Sequence, residues 1–143
     1  KVRALRPDIV FGADIIAGFP TETDEMFENS LKIVGEADLT YLHVFPYSAR
    51  EGTPAARMPQ VPWCVAKERA AKLRALGDLQ YSAFCQSRIG QMETVLVEHD
   101  GLGRTEQFVP IAVPGHGPGE LVAVRATGVS ASGLVGEPIR TAA

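Results

Sequence analysis

Tyr47, Ser48, Arg50 and Thr53 fall within seven residues and bring together a phenol, two hydroxyls and a guanidinium. A guanidinium holds a phosphate or carboxylate through two parallel hydrogen bonds, and a tyrosine either stacks or donates from its hydroxyl. An ordinary ion pair between Arg50 and Glu51 accounts for the arginine equally well. A second group is Gly18-Phe19-Pro20-Thr21-Glu22. Its glycine permits close backbone approach and Phe19 offers an apolar face to a flat ring, although the same residues make a plain tight turn. Asp14 lies among apolar neighbours, where a carboxylate is costly unless paired. It either meets a lysine from elsewhere in a longer chain or belongs to a site, because unusual carboxylates of this kind often mark one.

These groups must be held by the elements around them. Asp8 to Ala17 is a near-continuous apolar run suited to a parallel strand buried on both faces, and it stops at Gly18-Phe19-Pro20. Thr23 or Asp24 caps a helix with Phe27, Leu31 and Val34 on one face and Asp24, Glu25 and Glu28 near its positive end. Tyr41 to Phe45 is a second strand that breaks at Pro46, giving a right-handed strand–helix–strand unit. In such units ligands collect at the carboxyl ends of the strands, where both groups fall. Gly52, Pro54, Pro59 and Pro62 make Arg50 to Trp63 a connecting arm, with Trp63 as a packing anchor. A long helix follows from Val65 to about Arg88, its apolar stripe being Ala66, Ala70, Leu73, Leu76, Leu79 and Ala83, with Gly90 as its stop.

Beyond Gly90 the apolar period changes from helical to two. Glu93 to His99, Glu106 to Val113, Leu121 to Thr127 and Leu134 to Gly136 read as short strands, separated by Asp100-Gly101 and by the Pro114–Gly119 turn that carries His116. Pro110 puts its strand at an edge or a bulge. Four or five short strands in so few residues make a small barrel. The predicted organisation is 1–63, a connecting helix over 64–90, and a β-domain over 91–143.

Hydrophobic residues are 45% and charged residues 22% of the 143, ordinary globular usage. The net charge is −3, with 11 acidic and 11 basic side chains in residues 1–90 but 6 and 3 in 91–143. Bulk charge therefore does not advertise nucleic-acid binding, and any such contact must be local. No run approaches the apolar length of a membrane span and no signal layout opens the chain, which points to the cytoplasm. The start at Lys1 suggests a piece of a longer polypeptide. Cys64 and Cys85 lack ligand spacing, so no metal site is expected and both are read as reduced, semi-buried thiols.

Three stretches resemble one family. Ala13-Asp14-Ile15-Ile16-Ala17-Gly18-Phe19-Pro20-Thr21-Glu22-Thr23 is similar to T-D-I-I-V-G-F-P-G-E-T, and His43-Val44-Phe45-Pro46-Tyr47-Ser48-Ala49-Arg50-Glu51-Gly52-Thr53-Pro54-Ala55 to h-V-F-P-Y-S-x-R-x-G-T-P-A. Gly103-Arg104-Thr105-Glu106-Gln107-Phe108-Val109-Pro110 with Gly119-Glu120-Leu121-Val122 resembles the start of a TRAM module. The family is the radical-SAM methylthiotransferases with a carboxyl-terminal TRAM domain. Ala55 to Val61 and Phe108-Val109-Pro110 look most like the branch acting on N6-threonylcarbamoyladenosine beside the anticodon.

The resemblance implies an α/β fold, the late part of a partial TIM-like radical-SAM barrel, followed by a small all-β, OB-like barrel. It implies S-adenosylmethionine and two [4Fe-4S] clusters in the full-length enzyme, none of them bound to this piece, and no catalytic residue here. Cofactor contacts fall to Asp14, Gly18, Phe19, Pro20 and Glu22. Substrate contacts fall to Tyr47, Ser48, Arg50 and Thr53, and in the β-domain to Arg104, Gln107 and Arg125, with Phe108 read as core. Expected partners are the anticodon loop of tRNA and the amino-terminal remainder of the polypeptide, with no membrane; the isolated piece is a candidate homodimer. The family's three-cysteine loop is absent, and Thr21 stands where the family has glycine. Isopentenyladenosine tRNA or a ribosomal-protein aspartate as substrate, and a non-catalytic RNA-binding module, are the competing readings.

Overall fold

The computed structural model describes residues 1–139. The elements run α1 (Val2–Leu5), β1 (Phe11–Ala17), α2 (Asp24–Glu36), β2 (Leu39–Pro46), α3 (Trp63–Ser87), β3 (Met92–His99), β4 (Leu102–Thr105), β5 (Pro110–Ala112), β6 (Leu121–Ser130) and β7 (Gly133–Pro138). They form two compact units, Val10–Tyr81 and the segment Lys1–Ile9 with the chain from Ser82 onward.

In the unit Val10–Tyr81, β1 and β2 pair in parallel, with Asp14 opposite His43 and Ile16 opposite Phe45. The Thr23 hydroxyl accepts the Met26 N–H at 3.2 Å and so caps α2, while Asp24 and Glu25 sit in its first turn. Phe27 and Val34 of α2 meet Ala17, Val44, Ala70 and Leu73 in one core, flanked by Ile15, Leu31 and Leu42. Both helices thus cover the same face of the pair. The other face is open: Gly12, Asp14, His43, Ile16 and Phe45 are exposed, the last two at 54% each. This corrects the expectation of a strand buried on both sides. An unbroken apolar run reports that both faces are apolar, and says nothing about what covers the second.

The apolar stripe of α3 holds for Ala66, Ala70 and Leu73, and for Leu76, which is partly buried against the core, and then fails, with Leu79 68% exposed and Ala83 also exposed. The predicted stripe advances from Ala70 to Leu79 in three steps of three residues. At about 100° per residue those steps turn it to the opposite side of the helix. The buried line instead passes through Gly77 and later reaches Cys85. A Cβ on Gly77 would sit 3.2 Å from the Leu42 side chain, so the small residue lets α3 settle against β2. Trp63, expected to anchor packing, is 58% exposed at the start of this helix. Cys64 is exposed and Cys85 buried, and neither is in a disulfide.

In the other unit five strands close a barrel in the order β3-β4-β5-β7-β6. Strict alternation along β3 and β6 sends Val95, Val97, Val122, Val124 and Ala126 inward, joined by Val109, Ile111, Val113 and Leu134. Glu93 also faces in, where Arg88 meets its carboxylate at 2.6 Å. The predicted strand Glu106–Val113 shrinks to β5, because the chain turns first: Thr105 accepts the Phe108 N–H and donates its own N–H to Val109. Pro110, which has no N–H to give, opens the strand opposite Arg104. His116 lies in its turn as expected, 2.8 Å from the Glu120 carboxylate. Among the described residues no helix is long and apolar enough to cross a membrane.

Candidate functional site

The two sequence-marked loops lie at the carboxyl ends of β1 and β2. Gly18 leaves β1 with φ +73 and is buried; a Cβ there would fall 2.3 Å from the Ala66 Cβ. Its N–H donates to Glu22 Oε2 at 2.8 Å, which folds the loop back on itself. Arg69 of α3, only 6% exposed, then donates to Glu22 Oε2 at 2.7 Å, to the Glu22 carbonyl at 3.1 Å and to Asp24 Oδ1 at 2.6 Å, with its guanidinium 5.4 Å from the Phe27 ring centre. Burial works against that charge, but the hydrogen bonds to Asp24 and Glu22 outweigh it and hold the guanidinium pKa above its ordinary value.

The Glu22 carboxylate is therefore engaged in building the loop. Pro20 is buried alongside, while Phe19 stands 43% exposed and meets Tyr47 edge-on at 5.3 Å. Thr21 holds φ +70 and donates its N–H to the Pro59 carbonyl at 3.1 Å. A β-branched residue is strained there and glycine is not, which gives the Thr21 departure a physical meaning. Thr21→Gly is expected to raise stability by about 0.5–1 kcal/mol, the left-handed strain relieved less the chain entropy glycine adds. The urea midpoint reads it, and a loss of stability would show that the Thr21 side chain contributes more than its backbone costs.

Tyr47 extends the β1–β2 ladder by donating its N–H to Ala17 at 2.8 Å. Beyond it, Ile16, Phe45, Tyr47, Ser48, Arg50 and Thr53 line a groove of about 450 Å³. Its floor is the apolar pair Ile16–Phe45 and its rim is polar. The Thr53 hydroxyl is turned to the loop itself, donating to the Arg50 carbonyl at 2.8 Å. Arg50 is exposed and, among the described residues, has no ion-pair partner, so the pairing with Glu51 is not formed. The Tyr47 hydroxyl is buried and has no hydrogen-bond partner among the described residues. Asp14 shares the open sheet face with Ile16, exposed and beside His43. Among the described residues no group of three or more His, Cys, Asp or Glu is placed to hold a metal ion.

In the barrel unit Arg104 is exposed, 3.0 Å from Glu98, and Arg125 is exposed with Nη1 donating to the Gly90 carbonyl at 3.0 Å. Gln107 is 5% exposed and its amide donates to Asp8 at 3.3 Å, so it braces the turn from within. Phe108 is not core: it is 69% exposed at φ +64. The core assignment rested on a small barrel's need for aromatics, but Phe108 faces out between buried Gln107 and Val109, in step with the in–out alternation of its neighbours. Arg69 was missed by sequence reading because it acts 47 residues from its partner.

No family model matches the chain. Among curated proteins it is 60% identical over 111 residues to the threonylcarbamoyladenosine tRNA methylthiotransferase MtaB of Rickettsia prowazekii, covering 78% of this chain and 26% of that protein. The chain is homologous to the tRNA methylthiotransferases. It is also 39% identical over 145 residues to the tRNA-2-methylthio-N(6)-dimethylallyladenosine synthase of Bartonella bacilliformis, over 96% of this chain and 32% of that one. The synthase of the same name from Cereibacter sphaeroides is 37% identical over 147 residues, covering 97% and 34%. The chain thus spans about a quarter to a third of the length of these methylthiotransferases.

Proposed function

We propose that this chain is the carboxyl-terminal part of a radical-SAM methylthiotransferase that places a methylthio group on C2 of N6-threonylcarbamoyladenosine in tRNA. In this reading Val10–Tyr81 belongs to the late part of a TIM-like barrel, residues 91–143 form a TRAM-type RNA-binding module, and the cluster-binding cysteines lie in the amino-terminal remainder of a cytoplasmic enzyme. The observation that carries it is the groove, where an apolar floor meets the unpaired Arg50 and the unpartnered Tyr47 hydroxyl. The 60% identity to the threonylcarbamoyladenosine enzyme, against 37–39% to the dimethylallyladenosine enzymes, favours this branch over its sister.

The residues present suit an adenosyl group and an adenine. Phe19 and Phe45 offer ring faces, Ile16 keeps water from the floor, and the Tyr47 hydroxyl supplies the hydrogen bond it lacks a partner for. Bound here, S-adenosylmethionine would supply the methyl group and the radical chemistry of the reaction. The chain's own residues bind and orient. Arg50 holds the carboxylate of the threonylcarbamoyl substituent in a two-pronged hydrogen bond, a group the dimethylallyl substituent lacks. Ser48 lies on the same rim, and Asp14 on the adjoining open face. Gly18, Pro20, Glu22 and Thr53 keep the two loops in shape. Arg104 and Arg125 remain exposed for secondary contacts with the tRNA, with Gln107 acting through the turn it braces.

Mass spectrometry of digested tRNA from a strain lacking the full-length gene tests this. The 2-methylthio derivative of N6-threonylcarbamoyladenosine is expected to vanish while its precursor accumulates. Complementation with Arg50→Ala is expected to restore modification about tenfold to a hundredfold more slowly than wild type, the value of a charge-assisted pair. An unchanged nucleoside profile would remove the tRNA assignment; loss of the dimethylallyl product instead would move the chain to the sister branch.

A further inference from the structure

Phe108 sits in a conformation that glycine adopts freely and an aromatic residue does not, at φ +64, with its ring 69% exposed. The backbone around it is firmly held. Its N–H donates to the Thr105 carbonyl at 2.9 Å, Thr105 donates to Val109 at 3.0 Å, and the Val109 N–H reaches the Thr105 hydroxyl at 3.2 Å. Thr105, Gln107 and Val109 are all buried, at 5%, 5% and 0% exposure, so the turn is anchored at three points. What it holds out to solvent is one large ring. Strain kept in place by well-made surroundings points to a use for the strained residue.

The neighbourhood of the ring defines that use. Arg104 Nη1 approaches the Phe108 carbonyl at 3.4 Å, and Arg104 pairs across the strands with Leu96, which in turn pairs with Leu121. Leu96 and Leu121 are 47% and 72% exposed. The Arg104 charge is met by Glu98 at 3.0 Å. The outward strip is therefore aromatic, aliphatic and neutralised, in a stretch with 6 acidic and 3 basic residues. Such a surface suits an uncharged flat ring and gives a phosphate little reason to bind.

We infer that Phe108 is a stacking platform for an unpaired nucleobase of the tRNA substrate, and that the barrel unit engages RNA chiefly through this stack rather than through phosphates. The inference rests on the tRNA reading above and adds the residue and the mode of contact.

The 143-residue chain is titrated by fluorescence anisotropy with an RNA hairpin bearing an unpaired, adenine-containing loop, and with the fully paired duplex of the same composition. The hairpin is expected to bind, the duplex not, with weak dependence on salt. Phe108→Ala should weaken hairpin binding about tenfold and Phe108→Trp preserve it. Phe108→Gly separates fold from function: it should bind as poorly as the alanine variant while melting at a higher temperature, since it relieves the backbone strain. Hairpin binding that is unchanged in Phe108→Ala, or that falls steeply with salt, overturns the inference and leaves the tRNA reading in place. Loss of self-association in Phe108→Ala at unchanged hairpin affinity overturns it in favour of a protein contact. A chain that fails to bind the hairpin overturns it too, and only an unchanged nucleoside profile in the gene-deletion strain takes the tRNA reading down with it.

Discussion

Replacing Gly18 by alanine is expected to lower the unfolding free energy by about 2–5 kcal/mol, read as a shift of the urea midpoint at constant slope. Two effects add. The left-handed φ of +73 costs an alanine about 1–2 kcal/mol more than a glycine. The new methyl would also fall 2.3 Å from the Ala66 Cβ and 2.7 Å from its Cα, and backbone cannot yield as a side-chain tip does. Overpacking of this kind costs about 1–3 kcal/mol. Ala66→Gly in the same background removes the Cβ contact and leaves the 2.7 Å contact with the Cα and the backbone part, so the pair of substitutions should recover only a portion of the loss. A cost for Gly18→Ala under about 0.5 kcal/mol would show that the loop after β1 does not press on α3 as described.

Arg69→Ala is expected to cost about 3–5 kcal/mol, the penalty for stranding a buried charge. The damage falls on Glu22, whose side chain is 11% exposed and would keep only the Gly18 N–H. Asp24 is different. Its side chain is 98% exposed and returns to water when its partner goes, so Asp24→Asn should cost less than about 1 kcal/mol. Combining Arg69→Met with Glu22→Gln leaves no charge stranded, and that double variant should be more stable than Arg69→Ala alone. Should it be the less stable of the two, the loop is held by packing rather than by this ion pair. Chemical denaturation of the three variants settles the order.

Much of this architecture was legible because it is periodic. The β1–α2–β2 unit follows from an apolar run, a capping threonine and a second run ending at proline, and the barrel from strict alternation along β3 and β6. Both loops of the candidate site were legible as well, since they fall where strands end. What stayed hidden was not local. Arg69 reaches Glu22 and Asp24 across more than forty residues, and no spacing announces such a pair. The open face of β1, with Ile16 and Phe45 exposed, depends on what else packs there rather than on the strand's own composition. Phe108 was misassigned because a small barrel's need for aromatics does not say which ring fills it, although its neighbours' alternation turns it outward, and Leu79 because three-residue steps drift off a helix face.

The ring of contacts joining Gly18, Glu22, Ala66 and Arg69 also restricts how this loop can change over generations. A larger residue at 18 requires space at 66, a neutral residue at 22 leaves the guanidinium at 69 with Asp24 as its acidic partner, and a lost guanidinium strands the acid at 22. Each single step passes through a less stable protein, and a matched pair of steps loses less than its two members do separately. The four positions therefore form one heritable block, and lineages that remodel this loop must do so by exchanging its members together.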